Sequence, residues 1–144
     1  MTATHNFGTA PIRAASTADT FKAALYVTTA TVNAATTAYS ATNEVSGTGY
    51  TAGGATLTIS VVPTSSGTTS YLSFSNVSWT TATITARGAL IYNSTPSAND
   101  NSNAALTNAA VCVLDFGGDK TSTAGDFTII FPTFDATSAI IRIA

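Results

Sequence analysis

Charge is what this sequence has least of. Charged side chains make up 8% of its 144 residues, against about 25% in an ordinary globular domain. The five basic residues, Arg13, Lys22, Arg87, Lys120 and Arg142, are scattered along the chain. Nucleic-acid binders gather Lys and Arg into patches that displace counterions from phosphates, so direct nucleic-acid binding is not expected. A polybasic membrane anchor is excluded by the same count. Long apolar runs are missing too, with no stretch near the roughly 18 to 20 residues that span a bilayer. The opening MTATHNFGTAPIRAAS has no basic region followed by an apolar one, so no secretory signal is read there. A single cysteine, Cys112, fits folding in a cytoplasm, since small secreted scaffolds carry paired cysteines. The sequons at Asn76 and Asn93 are then chance matches in a Ser/Thr-rich chain.

Groups that do chemistry are as scarce. His5 is the only histidine, so one chain assembles no Ser-His-Asp, Cys-His or multi-histidine metal site. Glu44 is the only glutamate; a pairing with Asp19 or Asp135 for glycosidase-type work has no support in the spacing, and a solvated or salt-bridged carboxylate is expected. Cys112 sits among Val111, Val113 and Leu114, where a thiol behaves as a small buried hydrophobe. Asp115, Asp119 and Asp126 lack the spacing of a calcium loop. The segment GGDKTST (117–123) fails as a phosphate loop, with Asp119 where a glycine is needed before Lys120; it reads as a hairpin turned by Gly117 and Gly118. In SGTGYTAGG (46–54) the glycines are spaced G-x-G-x-x-x-G and lead into a strand, whereas dinucleotide binding needs G-x-G-x-x-G opening a helix. That stretch is therefore expected to be a turn. The inventory predicts no catalytic residue, no metal site and no cofactor, and a protein that is not an enzyme.

What the chain does have is small, neutral side chains, Ala, Ser and Thr filling about half of it. A surface built from them repels neighbours poorly and favours association. Residues 1–18 show no periodicity and read as an extended arm, with Phe7, Pro11, Ile12 and Arg13 as candidate interface residues. From residue 19 the pattern alternates with period two, the signature of strands with two differently solvated faces. Strands are expected at 19–27, at 55–62 ended by Pro63, at 71–75, at 81–92, in AAVCVLDFGG (109–118), in DFTIIFP and in SAIIRIA. One or two helical turns are expected near 30–38. Residues 94–108 read as a long loop with a short helix at 104–106. The fold predicted is all-β, an antiparallel two-sheet sandwich of jelly-roll or immunoglobulin-like kind, one domain over 19–144. Two readings stand for Trp79 with Tyr71, Phe74 and Tyr92: core aromatics between sheets, or a sugar-stacking platform. Arg87 and Arg142 are solvent-face arginines, or else make ion pairs or subunit contacts.

Three stretches, DTFKAALYVTTATVNAATTAYSATNEVSGTGYTAGG, SWTTATITARGALIYN and AVCVLDFGGDKTSTAGDFTIIFPTFDATSAIIRIA, cover most of 19–144. They resemble a family of small structural proteins of tailed bacteriophages, of capsid cement or decoration type. The resemblance implies a virion protein on the capsid surface, made in the host cytoplasm. Its partners would be the major capsid protein, whose subunits it bridges, and copies of itself in a homo-oligomer. Two alternatives are a tail, neck or baseplate component and a carbohydrate-binding or adhesin module.

Overall fold

Phe21, Ala23 and Leu25 point one way from the first strand while Ala24 and Tyr26 point the other, and all five are buried. A strand buried on both faces needs a layer on each side, and the chain supplies two different ones. The computed structural model describes residues 19–95 and 107–143. They form an all-β, antiparallel sandwich of two sheets. The first sheet has the order β2-β1-β5-β6, built from β1 (Phe21–Tyr26), β2 (Ala55–Leu57), β5 (Val77–Asn93) and β6 (Ala109–Ile129). The second has the order β3-β4-β7, from β3 (Ile59–Ser66), β4 (Thr69–Phe74) and β7 (Ile141–Ile143).

The inner faces meet in one core. Phe21, Leu25, Ile84, Ile91, Trp79 and Phe127 from the first sheet pack with Leu72 and Phe74 from the second, and with Phe131 beyond β6. Phe74 is the bridge, its ring centroid 5.9 Å from Phe21 and 5.9 Å from Phe131. Each such side chain contributes about 1.5–3 kcal/mol on leaving water, so the sheets cohere through aromatic and branched aliphatic contact.

β5 is the organising strand. It pairs with β1 from Phe21↔Asn93 to Tyr26↔Gly88, and with β6 from Val77↔Ile129 to Asn93↔Ala109. Over its first half buried and exposed residues mostly alternate, but from Gly88 to Asn93 every residue is buried. The change marks where residues 27–54 lie across the outer face of the sheet, packing Ala30, Val32 and Tyr39 on Ala24, Tyr26, Leu90 and Tyr92 as a second, smaller core.

Several expected boundaries shift. Residues 55–62 are not one strand: the chain changes sheets at Thr58, whose carbonyl accepts from the Ser75 amide at 2.8 Å, and β2 and β3 belong to different sheets. Pro63 lies inside β3 instead of ending it, tolerated because β3 is an edge strand with register shifts around that point. β5 begins at Val77, so Trp79 is part of it; the interruption expected before residue 81 survives as a register shift at which Thr81 takes a φ of 52°. The helical turns expected near 30–38 are absent. A tight turn stands there, with Thr36 N–H donating to the Asn33 carbonyl at 2.9 Å and Ala35 N–H to Asn33 Oδ1 at 2.8 Å. Asn and Thr offered the backbone local partners that compete with a helix. No helix is assigned among the described residues, and none is long and apolar enough to cross a membrane.

The hairpin expected at Gly117 and Gly118 is likewise replaced. AAVCVLDFGG and DFTI belong to one 21-residue strand, β6, which pairs with β5 along its length. Between Gly88↔Asp115 and Ala86↔Lys120 only Arg87 stands on β5 against four residues on β6. The surplus is taken up as a bulge at Gly117, where φ is 71°. The glycines do turn the chain locally, but the strand resumes on the same partner. The arm residues Phe7, Pro11, Ile12 and Arg13, and the helix expected at 104–106, lie outside the described residues.

Gly54 holds the crossing segment against β1. Its φ is 70°, and a Cβ there would run into the Ala23 carbonyl. Gly54→Ala should therefore cost about 2 kcal/mol or more, whereas Gly118→Ala, with open space at its Cβ, should stay within about 0.5 kcal/mol. Urea denaturation of the two variants checks the contrast; equal midpoints would refute it.

Candidate functional site

The sole glutamate is half-buried, with its carboxylate taken up in hydrogen bonds. The segment at residues 43–45 pairs with the end of β1: Val45 N–H donates to the Leu25 carbonyl at 2.8 Å and Val27 N–H to the Asn43 carbonyl at 3.1 Å. That pairing sets Glu44 among four tyrosines. Its Oε2 accepts from Tyr39 Oη–H at 2.6 Å, and its Oε1 accepts from Tyr50 Oη–H at 2.6 Å and from Gly53 N–H at 2.8 Å. Tyr50 Oη in turn accepts from Leu25 N–H at 2.9 Å. Tyr92, from β5, donates to the Gly53 carbonyl at 2.7 Å and stacks on Tyr39 with centroids 4.7 Å apart. Tyr26, from β1, donates to the Ser40 carbonyl at 2.6 Å.

This is the densest polar constellation among the described residues, and its chemistry is structural. Both carboxylate oxygens are engaged by phenols and a backbone amide, and charge-assisted bonds of this kind are about twice as strong as neutral ones. The phenols are held as donors. Burial, and then the hydrogen bond to Glu44, raise Tyr39 and Tyr50 well above the ordinary tyrosine range. Tyr92 is pushed up to about 12 by burial and the Glu44 charge, and burial raises Tyr26. Phenols raised in this way stay protonated near neutrality and donate to the carboxylate. No pairing of Glu44 with Asp19 or Asp135 is seen: Asp19 accepts from Asn93 Nδ2 at 2.7 Å, and Asp135 closes its own turn on Thr137 and Ser138.

The other candidates disperse. Asp115, Asp119 and Asp126 share β6, and no group of three or more His, Cys, Asp or Glu suited to a metal ion occurs among the described residues. Asp115 instead meets Arg87 Nε at 3.3 Å in an exposed ion pair, worth at most about 1 kcal/mol. Arg142 is exposed on β7 and reaches the Ala136 carbonyl at 3.4 Å. Cys112 is half-buried, with burial raising its thiol to about 11, which keeps it from acting as a thiolate near neutrality. The sugar-stacking platform does not form. Trp79, Phe74 and Tyr92 are buried. Trp79 packs against Tyr50 and Phe127, while Tyr71 lies half-exposed against Phe134.

Beside the crossing segment runs an open groove of about 330 Å³ with a mixed lining that includes Thr28, Val32, Val113, Leu114 and the Arg87–Asp115 pair. Farther along the same face the sheet carries hydroxyls, with Ser78 bonded to Thr128 at 2.7 Å and Thr85 to Thr121 at 2.9 Å across β5 and β6. Comparison with known protein families, with curated proteins and with solved structures finds no match.

Glu44→Gln leaves an amide N–H facing the Tyr39 hydroxyl, so stability should fall by about 1–3 kcal/mol, read as a lower urea midpoint, and Tyr39→Phe should cost less. The alkaline limit follows from the same contacts. Because folding raises these tyrosines above their unfolded value near 10, the stability they contribute is complete below about pH 10 and is lost as pH climbs through their folded values, about 12 for Tyr92. Phenolate absorbance and loss of β-sheet circular dichroism should therefore rise together in that window; phenolates formed near pH 10 in a folded protein would contradict it.

Proposed function

We propose that this chain is a structural protein of a tailed-phage virion, a capsid cement or decoration protein that bridges major capsid protein subunits and stabilises the shell. The observation that carries the reading is the use made of the polar groups. The one glutamate and four of the five tyrosines are consumed in fastening a loop to a sheet. What is left at the surface is a broad, nearly uncharged display of threonine, serine and alanine. A surface of that kind suits association through many small contacts, where affinity comes from repetition on a regular lattice more than from any one contact. The resemblance of its long stretches to small tailed-phage structural proteins supports the same assignment, and a virion location follows from it.

Few charges are available to the interface, so binding should depend weakly on salt. The test is reconstitution of the purified protein onto shells stripped of it, at low and at high ionic strength. Occupancy should be retained at both, at hundreds of copies per particle. Loss of binding at modest salt would contradict the contact chemistry, and a few to a few dozen copies would move the assignment to the tail, neck or baseplate.

A further inference from the structure

The outer face of the first sheet and the segment that covers it are unequally buried. Ala24, Tyr26, Leu90 and Tyr92, which form the floor, are at most 3% exposed. Residues 28–42, which lie over them, are all exposed or half-buried, including Ala30, Val32 and Tyr39, whose side chains make the apolar contact. The contact holding this cover down is therefore thin.

Residues 28–42 form a loop of the Ω kind, with its ends pinned together. Val27 N–H donates to the Asn43 carbonyl at 3.1 Å, and Asn43 Nδ2 to the Thr29 carbonyl at 3.2 Å. Asn43 takes a φ of 59°, a left-handed conformation that asparagine tolerates. Two residues on, Val45 is buried in the main core and pairs with Leu25. The neck of the loop is thus anchored in the sandwich, while the loop itself rests on the outer face.

Packing beneath and within the loop is open. The groove of about 330 Å³ has Ala30 and Val32 on the loop side and Val113 and Leu114 on the sheet side. A second hollow of about 180 Å³ is lined by Val32, Thr36, Ser40 and Thr42. Val32 and Tyr26 line both. Few apolar contacts and exposed backbone bonds are the marks of a region that opens at low cost.

What fastens the loop is mostly polar. Tyr39 N–H donates to the Asn108 carbonyl at 2.9 Å, Ala110 N–H to the Thr37 carbonyl at 2.9 Å, and Tyr26 Oη–H to the Ser40 carbonyl at 2.6 Å. Tyr39 is the latch, its ring stacked on Tyr92 and its hydroxyl donated to Glu44. The bonds from Tyr50 and Gly53 to Glu44 do not involve the loop.

From the pinned neck, the open packing and the aromatic latch we infer that residues 28–42 are a lid, which opens as one unit about the Val27–Asn43 pair while the sandwich stays folded. Opening uncovers Tyr26, Leu90 and Tyr92, an aromatic and aliphatic patch unlike the serine and threonine rows farther along the face. The lid thereby controls whether that patch is displayed. The inference is independent of the capsid reading and stands or falls on the isolated protein.

Native-state amide exchange of the full chain over a urea series tests it. The Tyr39 and Ala110 amides, which close the lid on β6, should exchange faster than those of β1 and β5 and respond to urea with a shallower slope, because lid opening exposes less surface than global unfolding. One common slope overturns the inference. Two substitutions then separate the lid from the sandwich. Ile84→Val, in the main core, should quicken the β1 and β5 amides by about threefold or more and leave the two lid amides unmoved; equal quickening at the lid means that it opens only with the whole fold, and overturns the inference. Tyr39→Phe removes the latch hydroxyl and should quicken the amides at positions 39 and 110 by about tenfold. Unchanged exchange there overturns it as well.

Discussion

Everything outside the main core depends on a carboxylate being surrounded by phenols. Sheet pairing alone would leave the outer face of β1 and β5 exposed at Ala24, Tyr26, Leu90 and Tyr92, and the residues that cover it, 27–54, contain no regular secondary structure to hold themselves in place. Glu44 supplies the missing order. Its two oxygens draw in Tyr39, Tyr50 and Gly53, and Tyr50 and Tyr92 join that group to β1 and β5. Irregular backbone is expensive to fix because each residue ordered costs about 1–2 kcal/mol of conformational entropy. Charge-assisted bonds within a partly dry cluster are among the few local interactions strong enough to offset that.

The covering segment in turn decides which parts of the molecule can meet a partner. Where it lies on the sheet, β5 is buried on both faces; where it ends, the sheet displays serine and threonine rows. The boundary between the two is the groove beside Val113 and Leu114. A molecule so short of charge does little to steer anything charged from a distance, and what it offers at close range is flat faces of hydroxyls. The proposed role in a repetitive shell draws on that constraint.

Strand content and core membership were legible in the sequence wherever period two was clean. Phe21, Leu25, Leu57, Ile84, Phe127 and Ile129 alternate in the sequence and are buried. Boundaries were legible only where the chain turns away from its partner. Pro63 and the pair Gly117 and Gly118 are strong turn signals, yet both lie inside strands. An edge strand does not need the proline's N–H, and a bulge takes up the glycines without breaking the ladder. Whether a turn signal ends a strand or merely bends it depends on what lies beside it, which neighbouring residues do not encode.

The polar cluster shows the same division more sharply. Composition and alternation by themselves determined that charge and titratable groups are sparse and that the fold is a β-sandwich, because counts and alternation are local properties. That Glu44 would sit between Tyr39 and Tyr50 and beneath Gly53 was decided only by tertiary structure. The contacts require residues 43–45 to pair with β1 and Tyr92 to arrive from β5, and no spacing in the chain announces either. The positions of Cys112 and Trp79 were set in the same way: both follow from which face of a long, repeatedly bulged strand pair points inward, and the bulges shift the register between the two strands.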